Sequence, residues 1–136
     1  MIRLAAFLAS FVPFWKSSPP AHVREFNTLV RLRIPGKISS NGRKETPIYY
    51  EVKGKEFLSL LRQKLVKEAQ EVLGAKTRTE TVRELADVLE VLKTIMRLEK
   101  ITPEEIEIVR IKRSELSGPL ESNGGGVYIV QVDKLG

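Results

Sequence analysis

Residues 64–92, KLVKEAQEVLGAKTRTETVRELADVLEVL, constrain the fold of this chain more than any other segment. They read as two helices joined by a break of a few residues between Gly74 and Thr77. So short a connection places the two helices antiparallel. We therefore expect a mainly α-helical domain with a helical hairpin at its centre.

Both predicted helices of the hairpin carry acids among apolar residues. The first, from about Lys55 to Leu73, has an apolar seam at spacings of three and four residues, and one of its positions is Glu68. The second, from about Thr77 to Lys100, is apolar over most of its circumference and is expected to be largely buried. The seam of the first helix consists of Leu58, Leu61, Leu65, Glu68 and Val72. The apolar surface of the second helix consists of Val82, Leu85, Ala86, Val88, Leu89, Val91, Leu92, Ile95 and Met96.

Four acids occupy matched heights in this hairpin. Antiparallel geometry places Glu68 level with Asp87 and Glu71 level with Glu84, because the residue numbers of each pair have the same sum. The two acids of one helix are about 4.5 Å apart along its axis. If both faces turn inward, the four carboxylates converge, and such a cluster takes up protons or binds cations.

Oxygen ligands alone favour Mg²⁺ or Mn²⁺, and a cation held in this way suits metal-assisted attack of water on a phosphoanhydride. The alternative is that the acids are exposed and paired with lysines one turn away, as Glu71 with Lys67.

The composition narrows the other possibilities. The net charge is +6, from 23 basic and 17 acidic residues, but the bases are scattered, which favours a solvated surface over a nucleic-acid interface. The absence of cysteine excludes disulfides and thiolate metal sites, and His22 is the only histidine.

The remaining segments predict a domain flanked by an appendage. Residues 1–22 read as an apolar appendage and linker, for which a signal peptide, a leader and a membrane-associated tail stay open, and residues 23–136 as the helical domain. Residues 26–35 fit a short helix or an extended segment, and residues 36–47 a loop. A third helix begins after Thr102 and ends near Gly118. The β-prone segments 48–52 and 127–132 are expected to pair as a small two-stranded element.

Two stretches of this sequence resemble one enzyme superfamily. KEAQE…RELADVLEVL looks like the E-E-x-x-E…E-x-x-D signature of the MazG-like, all-α nucleoside triphosphate pyrophosphohydrolases, which include phosphoribosyl-ATP pyrophosphohydrolase. FNTLVRLRIPGKI is similar to the opening of one branch, and the resemblance covers about residues 26–121. The resemblance implies an all-α NTP pyrophosphohydrolase-like helical bundle. It also implies an oligomeric, magnesium-dependent enzyme that releases pyrophosphate and a monophosphate.

The resemblance also assigns residues. It carries the metal ligands, for Mg²⁺ or Mn²⁺, onto Glu68, Glu71, Glu84 and Asp87, and it assigns no catalytic side chain, since a water on the metal is expected to attack. The candidate substrate-binding residues are Arg31, Arg113 and Lys67, and for Arg31 and Arg113 a surface salt bridge is the alternative.

Three positions depart from the family pattern. Lys67 replaces the first acid of the signature, Leu32 replaces an aspartate, and Ser117 begins a stretch that lacks the arginine and aromatic residue found near the substrate. Lys67 is expected to neutralise part of the carboxylate charge.

The leading hypothesis is a metal-dependent nucleotide pyrophosphohydrolase that acts on an NTP-like substrate, including non-standard nucleotides. The alternative is a catalytically impaired relative that binds nucleotide or a protein partner. The apolar second helix predicts a homodimer or homotetramer, because a short three-helix body cannot cover it. We expect a cytoplasmic protein with no nucleic-acid partner and no stable membrane insertion.

Overall fold

The computed structural model describes residues 27–42 and 45–135. The chain divides between residues 30 and 31 into two units, and the described part of the first, residues 27–30, contains no helix. The predicted appendage at residues 1–22 lies outside the described residues. Within the described ranges, every helix is too short or too polar to cross a membrane.

The second unit is built from helices. Four are present among the described residues, α1 (Ile34–Ser39), α2 (Gly54–Gly74), α3 (Arg78–Glu99) and α4 (Pro103–Ser117). The prediction of a mainly helical domain is therefore confirmed. The loop predicted over residues 36–47 is wrong at its start, because residues 36–39 belong to α1. Pro35 lies in the first turn of α1, where its fixed φ favours the helix and its missing N–H needs no partner.

Helices α2 and α3 form the predicted antiparallel hairpin. Residues 75–77 connect them, and an ion pair of 3.8 Å joins Arg62, in the first half of α2, to Glu99 at the end of α3. The apolar side chains buried among the described residues are Leu61 of α2 and Val91 of α3, at 3% and 4% exposure. The core therefore lies along the α2–α3 contact, with the predicted seam residues Leu58, Leu65 and Val72 half-buried beside it.

Two threonines begin helices as the sequence predicted. The Thr102 hydroxyl accepts a hydrogen bond from the Glu105 N–H, and the Glu105 carboxylate accepts one from the Thr102 N–H, so the capping box is complete. The Thr77 hydroxyl likewise accepts a hydrogen bond from the Glu80 N–H, at 3.1 Å. The Glu80 carboxylate accepts from the N–H of Lys76, one residue earlier than a capping box requires.

The helices end in different ways. Gly74 is the last helical residue of α2, and Ala75 leaves the helix in an extended conformation. Lys100 ends α3 in the left-handed region at φ 55°, a conformation that costs a side-chain-bearing residue free energy. Gly118 follows α4 at φ 84°, where glycine is favoured.

The predicted β element is not formed. Neither 48–52 nor 127–132 is a strand, and the only bridge in the described part of the chain joins Ser122 to Gly125 within a turn. Ile48 and Val127 are almost fully exposed. High β-propensity is insufficient here, because a two-stranded ribbon without a packed face is marginally stable.

The expectation that α3 is largely buried is also wrong for the single chain. Val82, Leu85 and Leu89 retain half or more of their exposure, because α2 covers only one stripe of the α3 surface. The apolar residues of α4 are exposed as well.

Candidate metal centre

Glu68 is the acid that the hairpin buries. It occupies the seam of α2 one turn after half-buried Leu65, and only 8% of its surface is exposed. Its Oε1 lies 3.1 Å from Nζ of Lys64, one helical turn earlier. A carboxylate taken out of water in this way needs a positive charge close by, and Lys64 provides it.

Two acids of α3 meet Glu68 across the hairpin. Glu84 and Asp87 are half-buried, and Glu68, Glu84 and Asp87 each offer one carboxylate oxygen, all lying within 4.8 Å of one another. The antiparallel register thus brings together three of the four acids that the sequence singled out.

Glu71 does not converge with the other three acids. It lies on the exposed side of α2 and makes no hydrogen bond or ion pair with any described residue. Its height in the hairpin agrees with the prediction, but Glu71 lies about 60° from Glu68 around the helix axis, so Glu68 faces the contact with α3 while Glu71 lies at its exposed edge.

The carboxylates repel one another. The pKa of Glu84 is raised above its ordinary value of 4.5, first by partial removal from water and then by the negative charges of Asp87, Glu71 and Glu68. Arg83 lowers it in part. The site therefore favours the uptake of positive charge, as a proton or as a cation.

Arg31 lies at the same cluster. Its Nη2 donates a hydrogen bond to Oδ1 of Asp87 at 2.8 Å, and the two side chains are 57% and 33% exposed. The sequence predicted substrate binding for Arg31 and did not predict this contact, because no periodicity relates residues 56 positions apart. Lys64 was also missed, although its spacing of four residues from Glu68 is a signal for an ion pair.

The donor set fits a hard divalent cation. All three groups supply carboxylate oxygen, the ligand that Mg²⁺ and Mn²⁺ prefer. Ligands of octahedral Mg²⁺ at about 2.1 Å from the ion stand up to about 4.2 Å apart. The separation of up to 4.8 Å in this structure needs only a small side-chain adjustment to reach that geometry. Asp87 and Glu68 would give up part of their present ion pairs in doing so.

The other candidate substrate residues lie away from this cluster. Arg113 projects from α4 into a shallow open groove of about 560 Å³, lined by Ile101, Glu105, Ile106, Val109, Arg110 and Arg113. Among the described residues it makes no ion pair with the acids. Lys67 lies within α2, next to Glu68 in the sequence but on the exposed side of the helix. Leu32 is 98% exposed.

Arg110, in the same groove as Arg113, is already paired. It donates two hydrogen bonds to the carboxylate of Glu107, and these bonds lower the pKa of that acid. Arg113 is therefore the arginine of α4 that keeps its guanidinium available within the described part of the chain.

Comparison with family models, with curated proteins and with solved structures returned no match to this chain.

Proposed function

We propose that this protein is a metal-dependent nucleotide pyrophosphohydrolase of the MazG-like, all-α type. It would cleave an NTP-like substrate to the monophosphate and pyrophosphate, with Mg²⁺ or Mn²⁺ as cofactor. The observation that carries the proposal is the convergence of Glu68, Glu84 and Asp87, from two antiparallel helices, to within 4.8 Å. The resemblance of the hairpin and of the opening segment to that superfamily supports the substrate class.

The residues of the site would have different roles because they lie at different depths in the hairpin. Glu68, held by Lys64 in the core of the hairpin, provides a fixed ligand, and Glu84 and Asp87 approach from α3 at its half-exposed edge. A divalent ion bound there would neutralise phosphate charge and activate a water molecule. Glu71 and Arg31 lie at the open side of the cluster, where a phosphate chain would approach.

The test is pyrophosphate release from a panel of standard and modified nucleoside triphosphates, with and without Mg²⁺. The matched variant is Glu84→Gln, because it leaves the Lys64–Glu68 and Arg31–Asp87 ion pairs intact. The control is Glu90→Gln, which removes an exposed acid from the same helix. We expect magnesium-dependent release that Glu84→Gln lowers by at least about 100-fold, while Glu90→Gln retains the wild-type rate.

A non-catalytic relative that binds nucleotide is the second candidate. Two of the three converging acids are engaged by cations of the chain itself, and this observation favours a site with weakened metal affinity. Substitution of the family's acid by Lys67 acts in the same direction. Calorimetric binding of a nucleotide without pyrophosphate release would establish this candidate and exclude the enzyme.

We also propose that the protein is a homodimer or homotetramer. Apolar residues of α3 and α4 that are 39–87% exposed support this: Val82, Leu85, Leu89, Leu92, Leu98, Ile106, Ile108, Val109, Ile111 and Leu116. Exposed apolar side chains in this number on two helices favour a protein–protein contact that removes them from water. Light scattering coupled to gel filtration measures the mass, and a monomer at micromolar concentration would refute the proposal.

A further inference from the structure

We propose that Arg31 is the built-in counter-ion of Asp87 and competes with the metal for that carboxylate. Asp87 would exchange Arg31 for the cation, and the released guanidinium would become available to a substrate phosphate. This inference rests on the proposed function, since it assumes that Asp87 is a metal ligand.

The Arg31–Asp87 contact joins two separate parts of the second unit. Among the described residues, the Arg31–Asp87 contact is the hydrogen bond and ion pair that connects residues 31–40 to the α2–α3 hairpin. Helix α1, which follows Arg31 directly, has no buried residue. The position of this segment on the hairpin therefore depends strongly on one half-exposed ion pair.

The two cations of the cluster differ in their freedom to leave. Lys64 lies on the same helix as Glu68, one turn away and largely buried, so it stays near its acid whether or not the pair is formed. Arg31 enters from another segment and is 57% exposed, so its guanidinium can move into water at low cost. Asp87 is therefore the ligand whose present partner is most easily exchanged.

The chemistry of Arg31 suits both partners. A guanidinium binds a carboxylate or a phosphate through two parallel N–H donors, whereas it repels a divalent cation at the same oxygen. Loading the site with a cation thus disfavours the Arg31–Asp87 pair, and a phosphate arriving with the cation offers Arg31 a new acceptor. Metal binding and substrate binding become coupled through this one side chain.

The experiment measures Mn²⁺ affinity in the absence of nucleotide, by electron paramagnetic resonance of the free ion. It compares the wild type with Arg31→Gln, Arg31→Lys and Arg33→Gln. Arg33→Gln is the matched control, because it removes the same charge two residues away from a side chain that makes no ion pair with a described residue. We expect Arg31→Gln to bind Mn²⁺ roughly three- to tenfold more tightly. Arg31→Lys should stay near the wild type and Arg33→Gln within about twofold of it.

Hydrogen exchange gives a second readout. The N–H of Ile34 donates to the carbonyl of Arg31, and the N–H of Lys37 donates to that of Arg33. We expect the amides of residues 34–40 to exchange faster when Mn²⁺ is added to the wild type. In Arg31→Gln they should already exchange fast without Mn²⁺ and should not respond to it.

Each result decides the question. If Arg31→Gln binds Mn²⁺ as tightly as the wild type or more weakly, Arg31 does not compete with the metal. The same conclusion follows if adding Mn²⁺ to the wild type leaves hydrogen exchange in residues 34–40 unchanged. If Mn²⁺ still binds and pyrophosphate is still released in that case, the proposed function stands and only this inference fails. If neither protein binds Mn²⁺, the metal centre and this inference fail together.

Discussion

Glu68 is a carboxylate at a position where the hairpin would otherwise place an apolar residue, and this makes Glu68→Leu a sharp test. The seam runs through Leu61 and Leu65, and Glu68 continues it at 8% exposure. A leucine at that position would complete the apolar contact and remove one of the three mutually repelling acids. We expect the variant to be more stable than the wild type in a chelating buffer and to lose the metal centre.

Two opposing contributions set the size of the effect. Burying a leucine side chain stabilises by about 1.5–3 kcal/mol relative to exposing it. Against this stands the loss of the Lys64–Glu68 pair, whose side chains are 18% and 10% exposed. Exposed pairs contribute about 0.2–1 kcal/mol, and replacing a buried pair by apolar residues is often neutral or stabilising. The Lys64 stem can lie along the new leucine and carry its ammonium to water. We expect a net gain of about 1 kcal/mol.

The assay is urea unfolding followed by circular dichroism, at one fixed protein concentration and in the presence of a chelator. A gain of about 1 kcal/mol moves the midpoint up by roughly 0.5–1 M. Glu68→Gln removes the charge without adding apolar surface, and Glu90→Leu adds a leucine at an exposed position of α3, so both should gain less.

Adding Mn²⁺ should stabilise the wild type and leave Glu68→Leu unchanged. A loss of more than about 1 kcal/mol in Glu68→Leu would refute the reasoning, because it would mean that the carboxylate and Lys64 together hold the seam.

Three further predictions concern charge and helix ends. The pKa of Glu84 lies above 4.5, so its charged form is disfavoured in the folded state, and the metal-free protein should lose stability as the pH rises from about 4.5 through the raised pKa. Urea midpoints measured from about pH 4 to about pH 7 check this, and Glu84→Gln should remove the part of the loss that Glu84 causes. Lys100→Gly should raise the free energy of unfolding by about 0.5–1 kcal/mol, because glycine relieves the left-handed conformation at the end of α3; an unchanged or lower midpoint would contradict this. Thr102→Ala should lower it by about 1 kcal/mol through loss of the capping box, whereas Thr102→Ser should retain most of the stability.

Local patterns in the sequence were sufficient for α2, α3 and α4 and for their order. The Thr102 capping box, the proline that follows it and the brief link between α2 and α3 act over a few residues, where the chain has few alternative conformations. The prediction that Glu68 lies at the same height as Asp87 followed from the same information, because an antiparallel hairpin with a known connection has one register.

Tertiary structure decided what depends on rotation and on distant partners. The rotation of α2 about its axis turns Glu68 inward and leaves Glu71 exposed, although both lie at the predicted heights. Contact between Arg31 and Asp87 links segments 56 residues apart, and no local signal encodes it. The β-prone segments 48–52 and 127–132 stay unpaired for the related reason that a strand needs a partner, and β-propensity alone does not provide one.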